Sequence, residues 1–192
     1  MRNLCDFANL VAVNDLYART GTAMTLPTTV QDVNSLGAKA FMATFGDVAE
    51  DSPWVAEAAE EMRPFHNREA IVAAFEQVLR SAGRAAKLAL IRAHPDLATK
   101  AKTIADDSRR EQAGAGLDAL SPEEFARFEA LNKAYHERFG FPFIFAVRGA
   151  RKADILASFE ERLGNSPEAE FERALDEIVR IFRFRIEDRV VS

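Results

Sequence analysis

A histidine directly before a proline is the first feature of the sequence whose residue types and spacing could support chemistry. His94 is one of three histidines, and it precedes Pro95 after an apolar run that contains Leu88 and Ile91. Because a proline disfavours helical backbone angles in the residue before it, a helix through this run should end near His94 and hold its imidazole at a turn. A held imidazole that titrates near neutral pH could act as a general acid or base. The simpler alternative is that His94 and Pro95 only end a helix.

A serine and a glutamate, Ser108 and Glu111, follow the histidine at a spacing that has two interpretations. A carboxylate on the element after a fixed imidazole could complete an acid–base site. The same spacing is also that of a capping box, in which the two side chains satisfy free backbone N–H groups at a helix start. The residues alone leave both interpretations open.

An arginine in the last predicted helix is the third candidate. The apolar positions of this helix are Phe171, Ala174, Leu175, Ile178, Ile181 and Phe182. Continuing their spacing places Arg185 on the apolar face, whereas Arg180 and Arg183 fall on the polar face. A buried arginine is costly unless it is paired. Arg185 therefore either extends its guanidinium to solvent at the helix end, which is the commoner case, or binds an anion such as a carboxylate.

The elements that must position these side chains are predicted to be helices almost throughout. Apolar residues recur at helical spacing from about Val33 onward, and glycine or proline interrupts them. Helix starts are predicted at Ser52, Asn67, Ser121 and Ser166, and helix ends at Gly46, Pro64, Gly83, His94 and Gly164. The pattern predicts an all-α fold, a single compact helical domain of about seven to nine helices in residues 24–192. Residues 1–23 are expected to be an N-terminal extension, and Thr25 to Asn34 an irregular lead-in.

One apolar run, from Gly140 to Val147, does not have helical character. Pro142 counts against a central strand, and no second strand of comparable strength is available to pair with it. We therefore expect a buried extended segment whose backbone groups need partners from a ligand, from helix ends or from water. A polar residue on the apolar stripe before it, Asn132, either meets water at the edge of the stripe or bonds a neighbouring element or ligand.

Composition excludes several classes of protein. A chain of 192 residues fits one domain with a sizeable core, and a net charge of −5 argues against nucleic-acid binding. No apolar run approaches the ~20 residues of a membrane helix. The single cysteine, Cys5, excludes an intramolecular disulfide and favours a reducing compartment, so a cytoplasmic location is expected. The histidines lack the spacing of metal ligands, so no metal site is expected.

Several motifs, considered together and in order, closely resemble the OHCU decarboxylase family, which acts on 2-oxo-4-hydroxy-4-carboxy-5-ureidoimidazoline. They are Ser52–Val55, Leu90–Ala98, Glu111–Leu117, Leu131-Asn132 with Tyr135, Phe139–Ile144 and the arginine-bearing last helix. The resemblance covers about residues 30–190. It implies an all-helical fold, no cofactor, usually a homodimer, and decarboxylation to (S)-allantoin as the last step from urate.

The resemblance also implies the residues of the site. The family's catalytic histidine falls on His94, and its key carboxylate on Glu111. The substrate-binding positions fall on Pro95, Ser108, Glu111, Gln112, Phe143, Ile144, Phe145, Ala146 and Val147. The carboxylate-binding arginine falls on Arg185 in preference to Arg183, in agreement with the spacing of the last helix.

Two other functions remain open at this point. One is a helical interaction module without chemistry, in which the histidine only ends a helix and the serine and glutamate only cap one. It predicts no small-molecule pocket at His94. The other is a different hydrolase of ureides or purine breakdown on the same scaffold, which predicts a metal site.

Overall fold

The computed structural model of the chain describes residues 28–98 and 105–191. Nine helices lie in these residues: α1 (Val30–Ser35), α2 (Ala38–Phe45), α3 (Trp54–Glu60), α4 (Arg68–Ser81), α5 (Arg84–Ala93), α6 (Asp106–Gly114), α7 (Pro122–Phe139), α8 (Lys152–Arg162) and α9 (Pro167–Arg189). The described part contains no strand, only an isolated bridge between Thr28 and Val190. The predicted all-α class and the predicted number of helices are thus confirmed. The expected extension, residues 1–23, lies outside the described residues.

Three helices begin at the caps that the sequence predicts. Asn67, Ser121 and Ser166 each accept a hydrogen bond from a backbone N–H in the first turn of the helix that follows. Such a bond satisfies a donor that has no partner inside the helix. At the other end of α7, Gly140 ends the helix in the left-handed region, at φ 75°, where a side chain would be strained.

Two helix starts differ from the prediction. Helix α3 has Pro53 at its N-cap and no side-chain cap, so Ser52 does not cap it. The backbone of Pro53 is already helical, so the observed start agrees with the predicted one to within one residue. Helix α1 lies where an irregular lead-in was expected. Thr29 and Asp32 form a capping box there, and the helix is too short for its apolar spacing to be evident.

The longest helix, α9, is the centre of the packing and contacts α4, α5 and α7. Its inward face is the predicted apolar stripe, and Phe182 meets Phe75 of α4 edge-on with ring centroids 5.9 Å apart. The rings of Phe45 and Phe41 extend this contact into α2. The core therefore holds α9 rigidly along its length, which sets the position of Arg185 near its end.

A second aromatic group packs the segment after α7 against α8. Tyr135 contacts the rings of Phe143 and Phe159, and Phe143 stacks on Phe159 with centroids 3.7 Å apart. This packing buries Phe143, Ile144, Ala146 and Val147. The buried irregular segment that the sequence predicts is present, and it forms one wall of the site described next. None of the helices within the described ranges combines the length and apolar character needed to cross a bilayer.

Candidate active site

The site is built around His94, whose imidazole is held by the end of helix α5. His94 follows the last helical residue with extended backbone, φ −74° and ψ 139°, as Pro95 dictates. Its Nδ1 lies 3.0 Å from the carbonyl oxygen of Leu90. A carbonyl can only accept, so Nδ1 carries the hydrogen and the neutral ring presents a lone pair at Nε2. Nε2 is buried and has no hydrogen-bond partner among the described residues.

Burial lowers the pKa of His94 and outweighs opposing influences. The charge of Glu50 and the Leu90 carbonyl act to raise this pKa, and the charge of Arg185 lowers it further. The resulting pKa lies below the ordinary value, so the ring is neutral at pH 7. His94 therefore presents an unprotonated Nε2 that can take up a proton.

Helix α9 brings Arg185 into the same site from the opposite side. The side chain is 2% exposed, so the apolar-face position that the sequence predicts is confirmed. Its Nε and Nη2 donate to the two carboxylate oxygens of Glu111 at 2.9 and 3.0 Å. Nη2 also lies 2.7 Å from Glu50 and 2.9 Å from Ser108. Burial lowers the pKa of Arg185, but these carboxylates raise it above its ordinary value.

The arginines on the polar face of α9 lie elsewhere. Arg183 is 41% exposed and pairs with Glu69 at 2.5 Å. Arg180 is half exposed and binds Glu177. The helical register thus separates one buried arginine from two surface ones, as the spacing predicts.

Helix α6 supplies three polar side chains from one face. Ser108, Glu111 and Gln112 are spaced so that they point the same way. The capping-box interpretation is wrong, because α6 begins earlier: Ala105 is its N-cap and Ser108 lies inside the helix. The Ser108 hydroxyl instead donates to the carboxylate of Glu50. Gln112 accepts the Ala98 N–H at 2.9 Å through its oxygen, which leaves its amide N–H groups for other partners.

The loop after His94 is held from helix α7. Asn132 is buried, and its amide donates to the Leu97 carbonyl at 2.9 Å. One turn further along, the Nε2 of His136 lies 2.7 Å from Asp96. Of the two roles considered for Asn132, the bond to a neighbouring element is the one observed.

The segment of residues 143–147 is held from behind by two buried charged side chains. Arg162 donates to the Ile144 carbonyl at 2.7 Å, and Glu177 accepts the Ala146 N–H at 2.9 Å. Arg162 is itself bound by the fully buried Glu170. The rings of Phe143 and Phe145 stack with centroids 6.0 Å apart, as residues two apart do in an extended chain.

These elements line a cleft that is open to solvent. Its lining includes the predicted residues His94, Pro95, Ser108, Glu111, Gln112, Phe143, Ile144, Phe145, Val147 and Arg185. Ala146 is buried but does not line the cleft, because its N–H faces Glu177. The described residues contain no group of three potential metal ligands.

Three lining residues were not predicted: Glu50, Leu97 and Ile181. Glu50 is the important omission, because it is charged and 7% exposed. It lies in the turn between α2 and α3, where no periodic pattern marks an inward position. The only sequence signal is its position just before the motif Ser52–Val55.

Comparison with known proteins gives consistent matches. The family model for OHCU decarboxylase matches residues 34–187. The 2-oxo-4-hydroxy-4-carboxy-5-ureidoimidazoline decarboxylase of Haloferax volcanii is 42% identical over 164 residues, which are 85% of this chain and 97% of that protein. The uric acid degradation bifunctional protein PucL of Bacillus subtilis is also 42% identical, over 33% of its length. A crystal structure of (S)-allantoin synthase superposes with a TM-score of 0.72 at 30% identity, covering 86% of this chain and 55% of that one.

Proposed function

The chain belongs to the OHCU decarboxylase family, and from this premise we propose that its cleft converts 2-oxo-4-hydroxy-4-carboxy-5-ureidoimidazoline into (S)-allantoin and CO₂. This is the last step from urate to allantoin in purine breakdown. The observation that carries the proposal is the buried, unpaired Nε2 of His94 in a cleft lined by Glu111 and Arg185.

The substrate supplies its own sink for the electrons that decarboxylation releases. Its carboxylated ring carbon bears a hydroxyl group and adjoins a carbon–nitrogen double bond. When the bond to the carboxyl carbon breaks, its electron pair forms a double bond between the two ring carbons. The electron pair of the carbon–nitrogen double bond then moves to the nitrogen, which takes up a proton from solvent. The resulting enol becomes the product ketone when the hydroxyl proton leaves and a proton reaches the ureido-bearing carbon.

His94 is proposed to move those last two protons. Its Nε2 lone pair can accept the hydroxyl proton, and the imidazolium so formed can deliver a proton to the neighbouring carbon. A positioned acid–base group of this kind contributes roughly 10²–10⁴-fold to the rate. Delivery from one fixed ring to one face of the substrate would account for a single product enantiomer.

Glu111 and Arg185 are proposed to bind the polar ends of the substrate by exchanging partners. In the structure the fork of Arg185 holds the carboxylate of Glu111. A substrate carboxylate has the same shape and charge, so it can take the place of Glu111. Glu111, which is 17% exposed, would then turn and accept the ureido or ring N–H groups. If Arg185 binds the ground state and the transition state equally well, it lowers KM without raising kcat.

The remaining predicted residues are proposed to orient the ring. Pro95 and the segment Phe143–Val147 form the walls of the cleft, while Ser108 and Gln112 provide polar groups on the α6 side. Orientation alone can lower a barrier by as much as ~7–11 kcal/mol. This is the main contribution that a protein can make when the substrate contains its own electron sink.

The two other functions considered from the sequence have less support. An interaction module predicts no pocket at His94, yet the imidazole lines a cleft. The hydrolase alternative requires a metal site, and no feature of the described residues specifically favours it.

The direct test uses freshly generated substrate, because the intermediate is unstable. Urate oxidase and the hydrolase that follows it would produce the intermediate from urate in the cuvette. Circular dichroism then follows the formation of allantoin. We expect rapid appearance of the S enantiomer with the protein present, against slow racemic product without it. Racemic product at the uncatalysed rate would contradict the proposal.

We also propose that the protein is a cytoplasmic homodimer, as the family resemblance and the single cysteine suggest. Light scattering during size-exclusion chromatography measures the mass of the particle. Twice the chain mass of 21.3 kDa is expected, and a mass of one chain would contradict the proposed assembly.

A further inference from the structure

Glu50 is a charged side chain that lines the same cleft as the His94 imidazole, and neither the sequence nor the proposed mechanism gives it a role. It is 7% exposed, and its backbone adopts φ 49°. A glutamate in the left-handed region is uncommon, and such a conformation persists only where its surroundings hold it. The turn between α2 and α3 therefore keeps a carboxylate in a buried position at a cost in backbone strain.

The carboxylate of Glu50 is oriented by two neighbours. Arg185 donates to its Oε1 at 2.7 Å, and the Ser108 hydroxyl donates to the same oxygen. Burial raises the pKa of Glu50, but the charge of Arg185 and these hydrogen bonds outweigh burial and lower it. Glu50 is therefore ionised at neutral pH, although it is buried.

The charged groups around His94 differ in their effect on the imidazole. Glu50 and Asp51, in the turn after α2, favour the protonated ring, and Arg185 of α9 opposes it. Glu111 of α6 also lines the cleft, but both of its oxygens are bound to Arg185. Asp96, which follows in the loop, is bound to His136. The Nδ1 of His94 meets a neutral carbonyl, so its own hydrogen bond provides no counter-charge.

We propose that Glu50 is a positioning residue for the acid–base step, in which its carboxylate stabilises the imidazolium that forms when His94 takes up a proton. The inference rests on the proposed decarboxylation, in which the hydroxyl proton of the substrate moves to Nε2. The negative charge of Glu50 must be in position before the proton moves, because burial otherwise disfavours a protonated His94 ring. Arg185 and Ser108 hold it there, and no proton is transferred to Glu50 itself.

Removing the negative charge of Glu50 while keeping the shape of its side chain tests this role. In Glu50→Gln, the amide oxygen can still accept from both Arg185 and Ser108, as Oε1 of Glu50 does. Loss of the negative charge should lower the pKa of His94 by about one unit or more. Activity that needs neutral His94 is lost as pH falls through this pKa, so the acid limb of kcat/KM should move to lower pH. The plateau rate should fall roughly tenfold or more, because His94 becomes a weaker base.

The matched control is Glu69→Gln. Glu69 is the surface partner of Arg183, and the substitution removes its negative charge. This variant should keep the wild-type plateau and acid limb. A second measurement does not depend on turnover: NMR titration of the three histidine rings, with the His94 signals assigned by their loss in His94→Gln. The His94 titration should move to lower pH in Glu50→Gln and stay unchanged in Glu69→Gln.

The two measurements separate the inference from the proposed function. A shifted His94 titration in a protein that does not decarboxylate the intermediate would contradict the function and leave the electrostatic coupling standing. An unchanged titration in folded Glu50→Gln would overturn the inference, even if the rate fell. Should Glu50→Gln not fold, Glu50→Asp retains the charge and must keep the acid limb within about half a unit of wild type. A large acid shift in that variant would also overturn the role of the charge.

Discussion

At the scale of single residues, the site depends on which atoms of His94 and Arg185 are already bound. The Leu90 carbonyl accepts a hydrogen bond from Nδ1 of His94 and thereby sets the tautomer of the ring. Arg185 has its donors distributed over Glu111, Glu50 and Ser108. The Nε2 of His94 thus has no hydrogen-bond partner among the described residues, and the guanidinium is paired with Glu111, the carboxylate that we propose the substrate displaces.

We predict that His94→Gln abolishes catalysis and leaves the fold intact. The glutamine amide can still donate to the Leu90 carbonyl, but it cannot accept and return a proton. A loss of about 10²–10⁴ in kcat is expected, with a thermal transition close to that of wild type. The measurements are allantoin formation and a circular-dichroism melt. A folded variant with near-normal turnover would remove His94 from the mechanism.

We predict that Arg185→Ala lowers kcat/KM severely, whereas Arg183→Ala stays within a few-fold of wild type. Removing the partner of a buried carboxylate typically costs ~2–5 kcal/mol. Arg183 pairs with Glu69 and Glu187 at the surface, and such pairs contribute ~0–1 kcal/mol. Arg185→Lys should rescue only in part, because an ammonium cannot make the planar two-pronged contact.

The assay for the arginine variants must be made well below their melting temperatures. Arg185→Ala also leaves Glu50 buried without its cation, so its stability is expected to fall. The variants are therefore compared on freshly generated intermediate after a folding check. If Arg183→Ala were the inactive variant, the assignment of the carboxylate-binding residue would be wrong.

At the scale of elements, the walls of the cleft are held by side chains that do not line it. Glu177 of α9 binds the Ala146 N–H, and Arg162 of α8 binds the Ile144 carbonyl. Asn132 of α7 does the same for the loop after His94. Irregular segments lack a ladder of backbone partners, so these buried polar groups provide the rigidity that a strand would otherwise give.

We predict that Glu177→Ala destabilises the protein by about 1–3 kcal/mol, because the buried Ala146 N–H loses its acceptor. The loosened segment should raise KM more than it lowers kcat, since Glu177 does not line the cleft. Glu172→Ala on the exposed face of the same helix is the control, and a change within about 0.5 kcal/mol is expected. Urea unfolding and steady-state kinetics measure both. Equal effects of the two substitutions would contradict this role of Glu177.

At the scale of the whole molecule, the two ends of the described chain meet. Thr28 donates to the Arg189 carbonyl at 2.8 Å and accepts from Val191 at 3.0 Å. This contact ties the start of the helical domain to the end of α9, close to the helix turn that carries Arg185. The family model begins at residue 34, well after the predicted extension.

We predict that a chain beginning at Met24 has the activity and melting temperature of the full chain. Such a chain retains Thr28 and its two hydrogen bonds, and the helical pattern of the sequence starts later. Thermal melts and allantoin formation compare the two proteins. A chain beginning at Thr29 is the matched control: it keeps the cap of α1 and should melt at a lower temperature because it lacks Thr28. A loss of several degrees on removal of residues 1–23 would show that Leu4, Phe7 or Leu10 packs on the core.

The sequence by itself determined the features that depend on local backbone and periodicity. The end of α5 at His94 follows from Pro95, the caps of α4, α7 and α9 follow from residue type, and the burial of Arg185 follows from helical register. Each of these is decided by neighbours within one or two turns of a helix. The motifs in their order also sufficed to identify the family.

Only the tertiary structure decided which groups meet. Ser108 and Glu111 had the spacing of a capping box, and the fold instead turned them toward Glu50 and Arg185. The direction of the Glu50 side chain could not be predicted, because a turn residue has no periodicity to reveal it. Its burial follows from pairing with an arginine 135 positions away, and the free energy of a buried charge depends on such a partner rather than on its neighbours in the chain.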